Sequence, residues 1–590
     1  MNVLFSFLKR QFLNYLLLIA ASLALGLGVW GWWEVYPQLT PHYGLGNQFS
    51  FALHQGLRAF VFSDVYADYS EAHFSWKIEL AGLIGSLVAI SAIIKAILAV
   101  FVRPIERFRA ARRSSHVVII GDRPVAINAA EKIEETRKVT YHGDSERMEL
   151  SKVLSVVRPQ SLDSIFMHRS VNGAERVIVA EESDGTTAET ALKLAAHIKK
   201  ATVFALLKNP WIASNLRPAL DDLEDEDFLI PVSETRALAR AAILRVPPFL
   251  LAKKARHKRA HILFYGFSHL TIAMIEEVLA TGIVPTQRLP RFTILTENAE
   301  EAASEFRSRH PNLEAETRRS NLGPIHVEFI ACPSTGVSAT ACQALRTLPR
   351  DEPITIAYVT REDDHEPLAA ALALQLSSRQ HNLFTCPIFV QSRHGNGMKP
   401  VAWQDNFSER DLFAFGGWED LAMALGIMDK DPDKLAKAYH ENYRRVVWND
   451  TDATRNWEVL PESLRIANRN AVLHLPAKLA SMGFDITPYL KQDDVLSPGT
   501  APFIQPEASL IKSESDRELL AHLEHERWMM DRWINGWRFA DERDNDQLHH
   551  PDLIPYQQLS EEKKDVDRAF VDWLDDWIDH DKSSGIHRVS

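Results

Sequence analysis

His116-Val117-Val118-Ile119-Ile120-Gly121, followed by a helix-forming stretch at residues 125–136, reads as strand, tight turn and helix. The order returns about 145 residues later, in His261-Ile262-Leu263-Phe264-Tyr265-Gly266 and a helical stretch at residues 270–280. The chain therefore carries an internal duplication. The first copy continues with strands at residues 176–180 and 202–206 around a helix at 187–199, and the second with strands at 327–330, 354–359 and 384–390. Apolar strands alternating with helices predict two parallel sheets, each covered on both faces.

The turns after Gly121 and Gly266 decide what such sheets can bind. A dinucleotide turn, GxGxxG, uses its second glycine to let backbone approach a pyrophosphate and its third to pack helix on sheet. Here the turns read Gly121-Asp122-Arg123-Pro124-Val125-Ala126 and Gly266-Phe267-Ser268-His269-Leu270-Thr271, and only the first glycine survives in either. Arg123 and Ser268 place side chains where phosphate would lie, and Asp122 sets an anion beside a helix N-terminus that would otherwise attract one. Both are degenerate nucleotide turns, and the two units read as scaffolds for assembly and signal transfer. Glu297, after a strand at residues 291–296, is placed to hold a ribose, with a solvated loop carboxylate as the plainer reading.

Ahead of the first unit, residues 12–33 carry Asn14 as the only strongly polar side chain, and residues 80–102 carry Lys95 as the only charge. Each run of about 22 residues can cross a hydrocarbon core of about 30 Å. The first is too long for a cleaved signal peptide and ends in Trp30, Trp32 and Trp33 rather than small residues. Lys9 and Arg10 precede the first run, and Arg103, Arg107, Arg109, Arg112 and Arg113 follow the second, so both termini are expected in the cytoplasm, at a bacterial inner membrane. Between the runs, residues 49–62 have helical apolar spacing in a position that resembles the pore helix of two-span potassium channels. The TVGYG filter strand is replaced by Ser63-Asp64-Val65-Tyr66-Ala67-Asp68. Asp64, Asp68 and the intramembrane Lys95 are the pore candidates. A hairpin lying on the outer leaflet, and a Lys95 that snorkels to the interface, are the alternatives.

Composition narrows the functions. With 590 residues the chain needs several cores. A net charge of −12 excludes a broad electrostatic grip on nucleic acid. Cys332, Cys342 and Cys386 form neither a disulfide framework nor a zinc spacing. His522 and His525, three apart on a predicted helix, suit metal ligation only if other ligands join them, so no metal is expected. No catalytic triad, nucleophile elbow or acid–base pair stands out, so an enzyme is not expected.

Two resemblances follow from longer stretches. AERVIVAEESDGTTAETALKLAAHIKKATVFALLKNP, residues 174–210, resembles the N-terminal lobe of RCK (TrkA-N) domains, which are Rossmann-like regulators of potassium transport. HERWMMDRWINGWRFADERDNDQLHHPDLIPYQQLSEEKKDVDR, residues 525–568, resembles a ryanodine-receptor repeat, the RyR domain. Physically that stretch offers planar faces on Trp528, Trp537 and Tyr556 and donors on Arg532, Arg538 and Arg543 for a nucleotide, with Asp544 and His550 beside them. Core packing is the bland alternative for both tryptophans. Upstream, His440-Glu441-Asn442-Tyr443, and Arg465, Asn468 and Arg469 further on, resemble a helical partner segment and supply rim candidates.

The expected domains are then a two-span membrane region with a pore-helix-like loop (1–112), two Rossmann-like RCK units (113–250 and 251–397), a helical RyR-associated segment (398–505) and the RyR domain (506–590). The expected fold class is a membrane helical hairpin plus α/β, with a mostly α-helical C-terminal domain. The resemblances imply a homo-oligomer, most simply a tetramer, that senses a nucleotide-type small molecule and carries no certain cofactor. A ligand-sensing scaffold without conduction and a nucleotide-processing enzyme are the alternatives.

Overall fold

The computed structural model describes residues 2–39, 45–61, 75–112, 114–134, 137–143, 154–157, 171–196, 198, 201–216, 229–333, 336–361, 367–391, 399–400, 412–417, 421, 433–447, 452–486, 511–580 and 587–588. It falls into two compact units, Met1–Asp122 with Ile133–Val177, and Arg123–Lys132 with Ile178–Ser590.

In the first unit, helices α1 (Asn2–Leu39), α2 (Leu45–Arg58) and α3 (Trp76–Arg112) pack against one another. Leu16–Leu39 and Trp76–Ile97 are long and apolar enough to cross a membrane. Their outward residues are themselves apolar: Leu18, Ile19, Leu83 and Leu87 are all more than half exposed. Small residues let the helices meet backbone to backbone. A Cβ on Gly28 would lie 3.1 Å from Cα of Gly56, one on Gly31 2.6 Å from Cγ1 of Ile78, and one on Gly85 2.7 Å from the Ala59 carbonyl. Gln48 of α2 donates to the Trp33 carbonyl at 2.8 Å, and Phe51 packs against Trp32 and Tyr36. The pore-helix-like stretch is thus a helix, begun four residues earlier than expected and seated against its neighbours. Asp64 and Asp68 lie outside the described residues. Lys95 sits half-buried on α3.

Strands β1 (His116–Ile120), β2 (Val139–Gly143), β3 (Leu154–Val157), β4 (Ala174–Val179), β5 (Thr202–Leu207) and β6 (Leu229–Ser233) form a sheet of order β3-β2-β1-β4-β5-β6. β1, β2 and β3 run parallel, as do β5 and β6. Gly121 turns the chain at φ 128°, and its carbonyl accepts from the Tyr141 hydroxyl at 2.8 Å.

In the second unit a further parallel sheet has the order β12-β13-β11-β10-β7-β8-β9. Its strands are β7 (His261–Tyr265), β8 (Arg291–Thr296), β9 (His326–Ala331), β10 (Ile356–Val359), β11 (Ile388–Gln391), β12 (Lys399–Pro400) and β13 (Leu412–Phe415). The last two overrun the boundary expected at residue 397. Leu412-Phe413-Ala414-Phe415 is too short an apolar run to announce itself among polar neighbours, yet Phe413 and Phe415 are buried in the core. That core runs on without a break into the C-terminal domain: Phe264, Phe292, Tyr358 and Phe413 share one apolar cluster with Met529, Met530, Trp533 and Leu553. The RyR-like stretch is therefore not separately cored. Around it stand the helices Lys434–Val446, Glu462–Leu473, Leu475–Ser481, Glu514–Ile534 and Glu561–His580.

Candidate ligand site in the C-terminal domain

The helix Glu514–Ile534 starts because Ser513 accepts from the Asp516 amide and places Glu514 and Asp516 in the positive first turn. It ends at Gly536, whose φ of 85° a side chain would resist. This turn swings Trp537 back toward the helix, and its amide donates to the Arg532 carbonyl at 3.0 Å. Trp528 and Arg532, four apart, share a face. The Arg532 guanidinium lies 5.7 Å from the Trp528 ring centre and 5.1 Å from that of Trp537. His550 meets both indoles edge-on, at 5.0 and 6.1 Å.

Charge gathers at the same place. Burial lowers the His550 pKa to about 4; Asp552 opposes this, and Arg543, Arg532 and Lys563 reinforce it. His550 is therefore neutral at pH 7, and its Nδ1 accepts from the Asp552 amide at 3.1 Å. Burial raises the Tyr443 pKa against the pull of Arg532, Arg543 and Lys563, so this phenol from the helix Lys434–Val446 keeps its proton. Arg532 has a buried Nε without a hydrogen-bond partner, and burial lowers its pKa. The charges of Arg532, Arg543 and Lys563 thus act on a neutral imidazole and a neutral phenol, with Asp552 and Asp567 acting against them.

The expected residues divide into four groups. Trp528, Arg532, Trp537, Arg543, His550 and Tyr443 come together. Tyr556 stands beyond His525, stacked on His522 at 5.5 Å with its hydroxyl donating to Glu518. Arg538 is exposed and donates to His549, while Asp544 accepts from the amides of Asp546 and Gln547 and shapes the loop. Arg465 and Arg469 gather instead over Trp457, at 5.8 and 5.9 Å, Arg469 forks onto Asp433, and Asn468 donates to His440. Lys563 and Asp552, joined at 2.9 Å, belong to the cluster and were missed, since a charge on a loop or helix looks solvated in sequence. Glu526 serves docking: it accepts from the Ser320 hydroxyl at 2.7 Å and the Asn321 amide at 3.4 Å. His525 donates to the Ile554 carbonyl and faces Asp567. Among the described residues no His/Cys/Asp/Glu group is set to hold a metal, and the three cysteines are buried thiols.

Both degenerate turns are occupied by their own side chains. Arg123 is buried, its Nη2 2.6 Å from Glu234 and also donating to the Leu206 carbonyl, with Asp184 3.8 Å from its Nη1. In the second turn Ser268 accepts from the Thr271 amide and Thr271 from the Ser268 amide, so the helix caps itself where a phosphate would dock. A cleft of about 440 Å³ remains beside Gly266, walled by Glu297, Glu301 and Glu305 with Arg361 opposite.

Fold and site together define a chain with two apolar helices, tandem RCK-like α/β units and a terminal RyR domain. The RyR domain model matches residues 511–573. The chain is also similar to solved structures of the GsuK channel. One, bound to ADP, is 15% identical, covers 73% of this chain and 99% of that one, and has a TM-score of 0.34. Another, bound to NAD, is 12% identical over 73% and 85% with a TM-score of 0.33. A dipicolinate synthase structure from Bacillus halodurans is 11% identical over 47% and 81%, at 0.18. No curated protein gives a significant match.

Proposed function

We propose that a nucleotide-type anion binds the RyR domain at Arg532, Arg543 and Lys563, beside His550 and Tyr443, and acts through the second RCK-like unit on a two-span membrane segment. The observation that supports this most is the joint between the two domains. His310 and Asn312 donate to the carbonyls of Ile534 and Gly536 at 3.0 and 3.3 Å, Phe539 donates to Glu316, and Ser320 and Asn321 hold Glu526. A ligand that moves Arg532 or Trp537 therefore pulls on residues 310–321, which lead into β9. Arg532 lies over both indoles, so phosphate recognition by the cations, rather than a base slotted between the rings, carries the binding.

The assembly is a homo-oligomer, most simply a tetramer, in the inner membrane with both termini cytoplasmic, since one hairpin encloses no pore. Reconstituted into liposomes with adenine nucleotides as probes, the protein is expected to pass ions only when nucleotide is present. The Arg543→Ala/Lys563→Ala variant should lose that response. Binding without flux would favour the membrane-anchored scaffold, which the missing TVGYG strand supports; nucleotide turnover would favour an enzyme.

A further inference from the structure

A second cavity lies at the opposite end of the β7–β9 sheet from Gly266. Lys258 and Arg259 precede β7, Gln287 and Arg288 precede β8, and residues 321–324 precede β9, so three parallel strands bring their leading loops to one rim. They line a cavity of about 670 Å³, closed by Thr286 and His326. That volume suits a small molecule of some tens of atoms. Three of its lining residues are cations and, among the described residues, none is a carboxylate.

Arg259 makes the cavity more than a basic patch. Its side chain is 3% exposed, with Nε 3.0 Å from Glu352, but the same carboxylate lies 2.8 Å from Nε of Arg291. Glu352 is thus shared by two guanidinium groups, Arg291 having Glu328 at 3.8 Å besides, and Nη1 of Arg259 is buried with no hydrogen-bond partner. A buried donor left unmade is costly, and a ligand oxygen would satisfy it. Lys258 and Arg288 stand at the mouth, Lys258 held by Asp351 at 2.8 Å and Arg288 exposed. Asn321, on the same rim, donates to Gln557 of the RyR domain at 2.6 Å.

We infer that this cavity binds a multiply charged phosphate, a di- or triphosphate group, at Arg259, Lys258 and Arg288, and so braces the loop that holds the RyR domain. The phosphate can belong to a nucleotide or be free inorganic polyphosphate. The site is separate from Arg532, Arg543 and Lys563, and the two stand or fall independently.

The test is calorimetric titration of the full-length protein in detergent with inorganic triphosphate, repeated with ATP as competitor. Arg259→Gln would strip Glu352 of a partner and risk the fold, so the exposed pair carries the test. Lys258→Ala/Arg288→Ala should weaken triphosphate binding at least tenfold with an unchanged melting temperature, and Arg543→Ala/Lys563→Ala should leave a triphosphate site intact. Displacement by ATP assigns the site to nucleotide phosphates, and failure of ATP to displace assigns it to free polyphosphate. No binding to the wild type, or equal binding by the Lys258/Arg288 variant, overturns the inference.

Discussion

Glu524 carries two cations in a buried place. Lys478 approaches it at 2.8 Å and Arg527 at 2.9 Å, and all three side chains are at most 3% exposed. Burial alone would raise the Glu524 pKa, yet Arg527 and Lys478 hold it down at about 2. Burial lowers Lys478 to about 8, with Glu524 opposing the shift and Arg527 adding to it. Removing the shared anion takes from both buried cations the carboxylate they contact, so Glu524→Gln should cost about 3–5 kcal/mol. Lys478→Met leaves Glu524 paired with Arg527 and should cost clearly less. Denaturant titration of the two variants measures the difference, and an equal loss would contradict the triad. Nothing in the sequence marks this network: Lys478 reads as surface charge, and its partner lies 46 positions away. Tyr443 was legible as a rim residue only through its resemblance to a partner segment; its neighbours Arg543 and Lys563 lie about a hundred residues on, a separation no periodicity spans.

At the scale of elements, apolar periodicity located the strands well wherever they were long. β1 and β7 were plain, since each sets four successive apolar residues after a histidine across five buried positions. β12 and β13 were not, being two and four residues long, and their absence from the reading set the expected domain boundary too early. The membrane helices were legible from hydropathy, but their packing was not, because it depends on which glycines face which backbones. Gly85 faces the Ala59 carbonyl, which cannot retreat, whereas Gly82, one turn earlier, has no atom within 4 Å of where a Cβ would sit. Gly85→Ala should therefore destabilise the three-helix packing by about 1–3 kcal/mol. Gly82→Ala should be neutral or slightly stabilising. Unfolding in mixed detergent micelles compares the pair, and equal behaviour would mean that α2 is not held as described.

At the scale of the molecule, the duplicated α/β units have diverged in what their turns do. Arg123 fills the first crevice and a self-made cap closes the phosphate position of the second, so the two anion sites we propose are placed elsewhere, on the RyR domain and at the far end of the second sheet. The RyR helix Glu514–Ile534 shares its apolar core with β7, β8 and β10, which joins the C-terminal domain and the second α/β unit in one body. The sequence resemblance pointed to both parts but implied two domains, because shared burial is a property of contacts and not of composition.

The most direct test of that coupling is hydrogen–deuterium exchange on the full-length protein in nanodiscs, with and without adenine nucleotides. Protection is expected both around residues 528–550 and in the loop at 310–324 of the second α/β unit, and Arg543→Ala/Lys563→Ala should abolish both together. Protection confined to 528–550, or centred on the cleft beside Gly266, would contradict the coupling.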